Sequence, residues 1–227
     1  MSASAVGLAD ERTARFYGST VGKKAVMAVS GIALFLFVIA HLVGNLQFFE
    51  GPEKMAAYGR FLRVEPALLW TARIGLLVMV ALHIWSSVLL ALRKNEARPQ
   101  GYVKKKAVSS TYASRTMYWS GPIVAAFIVY HLLDLTLGVV NPGYQEGAIY
   151  ENMVRSFRNP AVSIFYVVAM GMLCMHLFHG AWSMFQTLGF SSPRYTPLLK
   201  SLAAVVSILI FLGFVSIPLS VLTGLKS

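Results

Sequence analysis

The chain has 227 residues, of which 56% are hydrophobic and only 13% charged. A soluble domain of this length cannot hide so much apolar surface, so the composition points to a membrane protein. The net charge of +11 would suit a nucleic-acid binder, but the basic residues sort by alternate loops rather than onto one folded face, which speaks against that class.

Residues 1–24 hold Arg12, Arg15, Lys23 and Lys24 and show neither an apolar core nor a small-residue cleavage site. A removable signal peptide is therefore not expected, and this segment reads as a cytoplasmic extension of a retained first helix. Crossing about 30 Å of hydrocarbon takes about 20 helical residues. Five apolar runs qualify, at about 25–48, 67–92, 119–140, 161–187 and 201–223. The intervals between them are too short for a soluble domain. The expected fold is all-α, an integral membrane five-transmembrane-helix bundle forming one domain over 1–227. Continuous rather than alternating apolar runs exclude an outer-membrane barrel.

Charge orients the bundle. The interval from Arg93 to Arg115 carries Arg93, Lys94, Arg98, Lys104, Lys105, Lys106 and Arg115 against the single acid Glu96. In the interval Gly51–Glu65 and its edge, Lys54, Arg60 and Arg63 are balanced by Glu50, Glu53 and Glu65, and Glu146–Arg158 is balanced likewise. Positive loops stay inside, so the N-terminus is expected in the cytoplasm and the C-terminus outside.

All five histidines lie in apolar runs: His41 in VIAHLVGNLQFF, His83 in VALHIW, His131 in VYHLLD, and His176 and His179 in CMHLFHGAW. An imidazole is costly in hydrocarbon and is a functional candidate by default. At helical rise His41 lies about 24 Å above the cytoplasmic face and His131 about 18 Å, while His83 and His176 lie about 6 and 8 Å above it. Each level thus draws two histidines from two different helices. Facing imidazoles in a bundle interior make a bis-histidine haem site, and two such sites stacked along the membrane normal make an electron path. Taken one at a time, each histidine is more plainly read as a hydrogen-bonded core residue; the matched pairs favour haem. The lone Cys174 excludes an intrachain disulfide and a CxxCH attachment, so any haem is held non-covalently.

Smaller signals accompany these. Gly31, Gly44, Gly75 and Gly180 offer gaps for a flat macrocycle, although small residues equally let bare helices approach. Trp70, Trp119 and Tyr144 near span ends fit an interfacial aromatic belt. Asp134, three residues after His131, and Arg73, ten before His83, are intramembrane charges, candidates for contact with a haem propionate or for pairing with each other. A pair made only for helix packing is the competing reading. Broken helices and inverted repeats, the marks of a transporter, are not evident.

The strings SGIALFLFVIAHLVGNLQFF and HLFHGAWSMFQTLG, with one histidine in each of the second and third spans, resemble the single-chain, di-haem cytochrome b558 type membrane anchor of succinate dehydrogenase and fumarate reductase. The resemblance runs over almost the whole length. It implies two b haems, an outer one held by His41 and His131 and an inner one by His83 and His176. Ligation is carried to His176 rather than His179 because the family's fourth-helix ligand precedes a glycine by four positions, here Gly180. His179 is left to touch a propionate, a quinone or the partner subunit. It further implies a subunit of the tricarboxylic acid cycle enzyme without its own dicarboxylate site, in the bacterial cytoplasmic membrane. A flavoprotein with FAD and an iron-sulfur subunit with its clusters would be its partners, and membrane quinone, menaquinone by this resemblance, its substrate, with Asp134 and Arg73 the candidates for its proton chemistry. The basic interval Arg93–Arg115 would dock the iron-sulfur subunit or simply set topology. Relatives that move protons place an acid beside the fourth-helix ligand; here Leu173, Cys174 and Met175 stand there. The alternatives are the cytochrome b subunit of a hydrogenase, a formate dehydrogenase or another quinone-linked dehydrogenase, and a haem-free structural anchor.

Overall fold

Ser19 caps the first helix: its Oγ accepts from the Gly22 amide at 3.0 Å, satisfying one of the donors a helix start leaves over. In the computed structural model, which describes residues 16, 18–96 and 112–226, helix α1 then runs Thr20–Asn45, five residues earlier than the apolar run alone indicates. The basic residues Arg12, Arg15, Arg98, Lys104, Lys105 and Lys106 lie outside the described residues. A 3-10 turn, Leu46–Glu50, extends α1 and stops at Gly51, whose φ of +102° suits glycine.

Proline sets most of the later starts, because its missing N–H costs nothing in a first helical turn. Helix α2 spans Pro52–Phe61, α3 Pro66–Glu96, α4 Tyr112–Leu135, α5 Ile149–Phe157, α6 Pro160–Thr187 and α7 Thr196–Leu222, with Pro197 in its first turn. Asn159 caps α6 by accepting from the Ala161 amide at 3.0 Å. Among the described residues, α1 with its 3-10 extension, α3, α4, α6 and α7 are long and apolar enough to cross a bilayer. The all-α, five-span architecture is the one the sequence indicates.

The third span departs from its expected limits of 119–140. It stops at Leu135, where the Leu137 amide turns back to Leu132 O at 2.9 Å and Gly138 takes φ +70°. That closure is a left-handed glycine cap. Tyr144 folds its ring over Gly138, where a Cβ would collide with it, and donates its hydroxyl to Thr136 O at 2.9 Å. Tyr144 therefore plugs a helix end rather than serving only as an interfacial anchor.

Helix α1 packs on α3, α6 and α7; α4 packs on α6, and α6 on α7. Extensive packing is absent between α1 and α4, between α3 and α6, and between α3 and α4 among the described residues. The pairs α1/α4 and α3/α6 are thus diagonals of the bundle. At the end opposite the N-terminus, α2 and α5 form a cap that the apolar-run reading did not anticipate. Phe48, Met55, Tyr150, Met153 and Phe157 are buried there together with Tyr166 of α6 and Val215, Ile217 and Val221 of α7. Each large apolar side chain withdrawn from water contributes about 1.5–3 kcal/mol, enough to hold two short, polar-faced helices. Gly59 of α2 lies against Ile149 of α5, and Gly44 of α1 lies against the Tyr58 hydroxyl.

Candidate functional site

Near the capped end, the ring centres of His41 on α1 and His131 on α4 are 5.8 Å apart, with their planes nearly perpendicular at 85°. One turn before each histidine stands a phenylalanine: Phe37 stacks on His41 at 5.2 Å, and Phe127 tilts against His131 at 5.7 Å. Phe214 of α7 closes on His41 at 6.0 Å. A cavity of about 110 Å3 opens beside the pair, lined by His41, Asn45, His131, Leu135, Thr136, Ile149 and Met153.

Toward the N-terminal end, His83 on α3 and His176 on α6 have ring centres 6.1 Å apart at 64°. His83 Nδ1 lies 3.2 Å from Met27 O and 3.4 Å from Ser30 Oγ. A carbonyl only accepts, so Nδ1 carries the proton and Nε2 keeps its lone pair. Ser30 spends its own proton on Val26 O at 2.7 Å. Gly31 makes room for this ring: a Cβ there would stand 3.3 Å from His83 Cε1.

In both pairs the separation of the ring centres is close to what two imidazoles sharing one metal ion would need. Two metal–nitrogen bonds of about 2.0–2.1 Å, with about 1.1 Å from each nitrogen to its ring centre, put the centres about 6.3 Å apart. The observed 5.8 and 6.1 Å lie just inside that figure. No group of three or more His, Cys, Asp or Glu able to hold a bare metal ion occurs among the described residues. Two imidazoles therefore suit a metal that brings its remaining ligands with it, as a macrocycle does. Each pair spans a diagonal of the bundle that lacks direct helix packing.

The fully satisfied core-histidine reading fits less well. His176 Nδ1 and His179 Nδ1 are buried without a hydrogen-bond partner. His83 and His131 bond through Nδ1 alone.

The remaining candidates separate. His179 does not face His83; its ring meets Trp182 edge-on at 5.8 Å, and Lys200 Nζ lies 4.7 Å above that indole. Arg73 is exposed and sits over Trp70 at 5.2 Å, and no pair forms between Arg73 and Asp134. Asp134 is 1% exposed and does not line the cavity beside the histidines. Its Oδ2 accepts from Ser156 Oγ at 2.6 Å and from Tyr166 OH at 2.8 Å. The two hydrogen bonds satisfy a buried polar oxygen that would otherwise cost about 1–3 kcal/mol. Tyr166 was missed by sequence reasoning, as was Ser156; an aromatic in an apolar helix carries no signal until its partners are placed. Gly75 and Gly180 face open space, as gaps for a ligand require, whereas Gly44 is occupied by Tyr58 and offers none.

Comparison with known proteins adds the family. Neither a curated protein nor a solved structure matches the chain. The family model described as succinate dehydrogenase/fumarate reductase transmembrane subunit matches residues 93–216, over half the chain, including His131, Asp134, Tyr166, His176 and His179. The chain therefore belongs to the succinate dehydrogenase/fumarate reductase transmembrane subunit family, as a multi-pass membrane subunit of an oxidoreductase complex.

Proposed function

We propose that this subunit holds two b-type haems, ligated by His41 with His131 and by His83 with His176, and passes electrons between an iron-sulfur partner and a membrane quinone. The observation that carries the reading is the spacing of the two imidazole pairs, each at the separation of rings sharing one metal and each bridging unpacked helices. Haem iron supplies reversible one-electron transfer when bound. The chain's own residues do the rest. Met27 O and Ser30 hold His83 with Nε2 unprotonated, and Phe37, Phe127 and Phe214 pack against the rings of the other pair.

The end where α1 begins and α3 ends gathers Lys23, Lys24, Arg93 and Lys94, with Arg93 reaching across to Gly18 O at 2.6 Å. By the positive-inside rule this end faces the cytoplasm, where the flavoprotein with its FAD and the iron-sulfur subunit would dock. The capped end then faces outward, and the cavity lined by Asn45 and Thr136 beside His41 and His131 is where a quinone ring would approach. Dicarboxylate chemistry belongs to the flavoprotein; this chain positions cofactors and sets their electrostatic surroundings.

A pyridine haemochrome assay on the purified full chain tests the reading. Two haems per chain are expected, with a b-type reduced-minus-oxidised spectrum. A correctly folded chain without haem overturns it in favour of a structural anchor.

A further inference from the structure

We infer that Tyr166, anchored by Asp134 and Ser156, is a positioning residue that fixes the tautomer of His131 and lowers the reduction potential of the haem His131 would ligate. This rests on the di-haem reading above and extends it to groups outside the ligand set.

The argument begins with the direction of the protons. Tyr166 OH lies 2.8 Å from Asp134 Oδ2 and 3.4 Å from His131 Nδ1. A hydroxyl has one proton, and the short contact to the carboxyl oxygen takes it. The phenolic oxygen then faces Nδ1 as an acceptor, so Nδ1 carries the ring proton and Nε2 is left with its lone pair. Reversed, with Tyr166 donating to Nδ1, the proton would sit on Nε2 and His131 could not ligate a metal. The reversal would cost Asp134 a buried hydrogen bond; Ser156 Oγ donates to the same Asp134 oxygen at 2.6 Å, fixing its place while competing with Tyr166 for it. Both partners of the carboxyl oxygen, Ser156 and Tyr166, are buried. The Tyr166 ring is edge-on to Phe127 at 5.1 Å and to Phe157 at 4.9 Å, and Asp134 is 1% exposed.

The chain His131, Tyr166, Asp134 is the arrangement by which outer groups orient a metal-ligating imidazole and raise its basicity. A phenol that donates its hydrogen bond to a carboxyl oxygen gains negative character at its own oxygen and pulls harder on the Nδ1 proton. The imidazole becomes a stronger donor and favours the ferric state. His83 has only a carbonyl and a serine in that place, so the effect is confined to one level.

Two substitutions carry the test on the full chain purified from membranes, read by potentiometric titration and by electron paramagnetic resonance of the oxidised form. Tyr166→Phe keeps the ring and removes the acceptor; one haem should become easier to reduce, its ferric-to-ferrous ratio at fixed potential falling about tenfold, or about 59 mV for one electron. The resonance of that haem should shift while the other stays unchanged. Ser156→Ala removes a competing donor from Asp134, strengthens the bond from Tyr166, and should move the same haem the opposite way. Opposite signs support the assignment; unmoved potentials, or equal signs in both variants, overturn it. Should Tyr166→Phe shed the haem, the Ser156→Ala shift decides alone: downward supports, upward or absent overturns. A wild-type chain lacking haem removes the di-haem reading itself, whereas two haems with unmoved potentials remove only the role of Tyr166.

Discussion

The two histidine pairs are spaced alike, 5.8 and 6.1 Å between ring centres, yet the protein around them differs. The pair near the cap is walled by phenylalanines and tied through Tyr166 to a buried carboxyl group, under a lid of two short helices. The pair near the basic end is held by one backbone carbonyl and one serine, and His176 has no partner at Nδ1. Spacing across a bundle diagonal decides whether two imidazoles share a metal. Surroundings would decide how such a metal behaves, and here they are unequal. The family match spans 93–216 and so contains one histidine of each pair, His131 and His176, while His41 and His83 precede it.

The largest effect expected from breaking this comparison is loss of a whole cofactor. His131→Ala or His41→Ala should reduce haem content from two to one and abolish the component that Tyr166→Phe shifts. His83→Ala or His176→Ala should abolish the other component. If His83→Ala and His131→Ala remove the same spectral component, the pairing across diagonals is wrong.

Next comes the carboxyl group that only one level has. Asp134→Leu leaves the hydroxyls of Ser156 and Tyr166 buried without their acceptor, at about 1–3 kcal/mol each, against which the relief of a buried acid is set. A lower thermal midpoint, together with weakened haem retention at the His131 level alone, is expected. Stability equal to wild type would show that the cluster is dispensable for folding. The glycines sharpen the contrast at smaller cost. Gly44→Ala forces the new methyl into Tyr58 and should cost about 1–3 kcal/mol, loosening the cap. Gly180→Ala meets no protein atom within 4 Å and should leave folding unchanged; reduced haem at the His83 level in that variant would show that the macrocycle uses this gap.

How much of this was legible follows from range. The five spans and the two histidine levels rest on local quantities, the length of apolar runs and the 1.5 Å rise, and these survive small errors in helix ends. The third span was overrun by five residues because Thr136, Leu137, Val139 and Val140 around Gly138 read as apolar continuation, while the left-handed turn at that glycine ends the helix. Helices α2 and α5 carry too little hydropathy to stand out and are stabilised by packing that composition does not reveal. Asp134 drew notice as a charge among apolar residues, but Arg73, the obvious partner by charge, points to Trp70 instead. The true partners, Ser156 and Tyr166, are 22 and 32 residues on and neutral, so no charge rule reaches them.

A small effect is expected where the comparison is most easily confused, at the second histidine of the sixth helix. His179 is one turn below His176 and shares the CMHLFHGAW string, yet its ring lies against Trp182, and His83 faces His176. His179→Ala therefore removes a half-buried imidazole whose Nδ1 has no hydrogen-bond partner, so the lost packing is partly offset by the loss of an unpaired polar atom. Stability should change by no more than about 1 kcal/mol, inside the ordinary spread for single substitutions, with two haems retained. His176→Ala, three residues away, should empty its site entirely. Should the outcomes be exchanged, with His179→Ala emptying the site and His176→Ala leaving it filled, the ligand is His179, and α6 must turn by most of a helical step relative to α3 for its ring to reach His83.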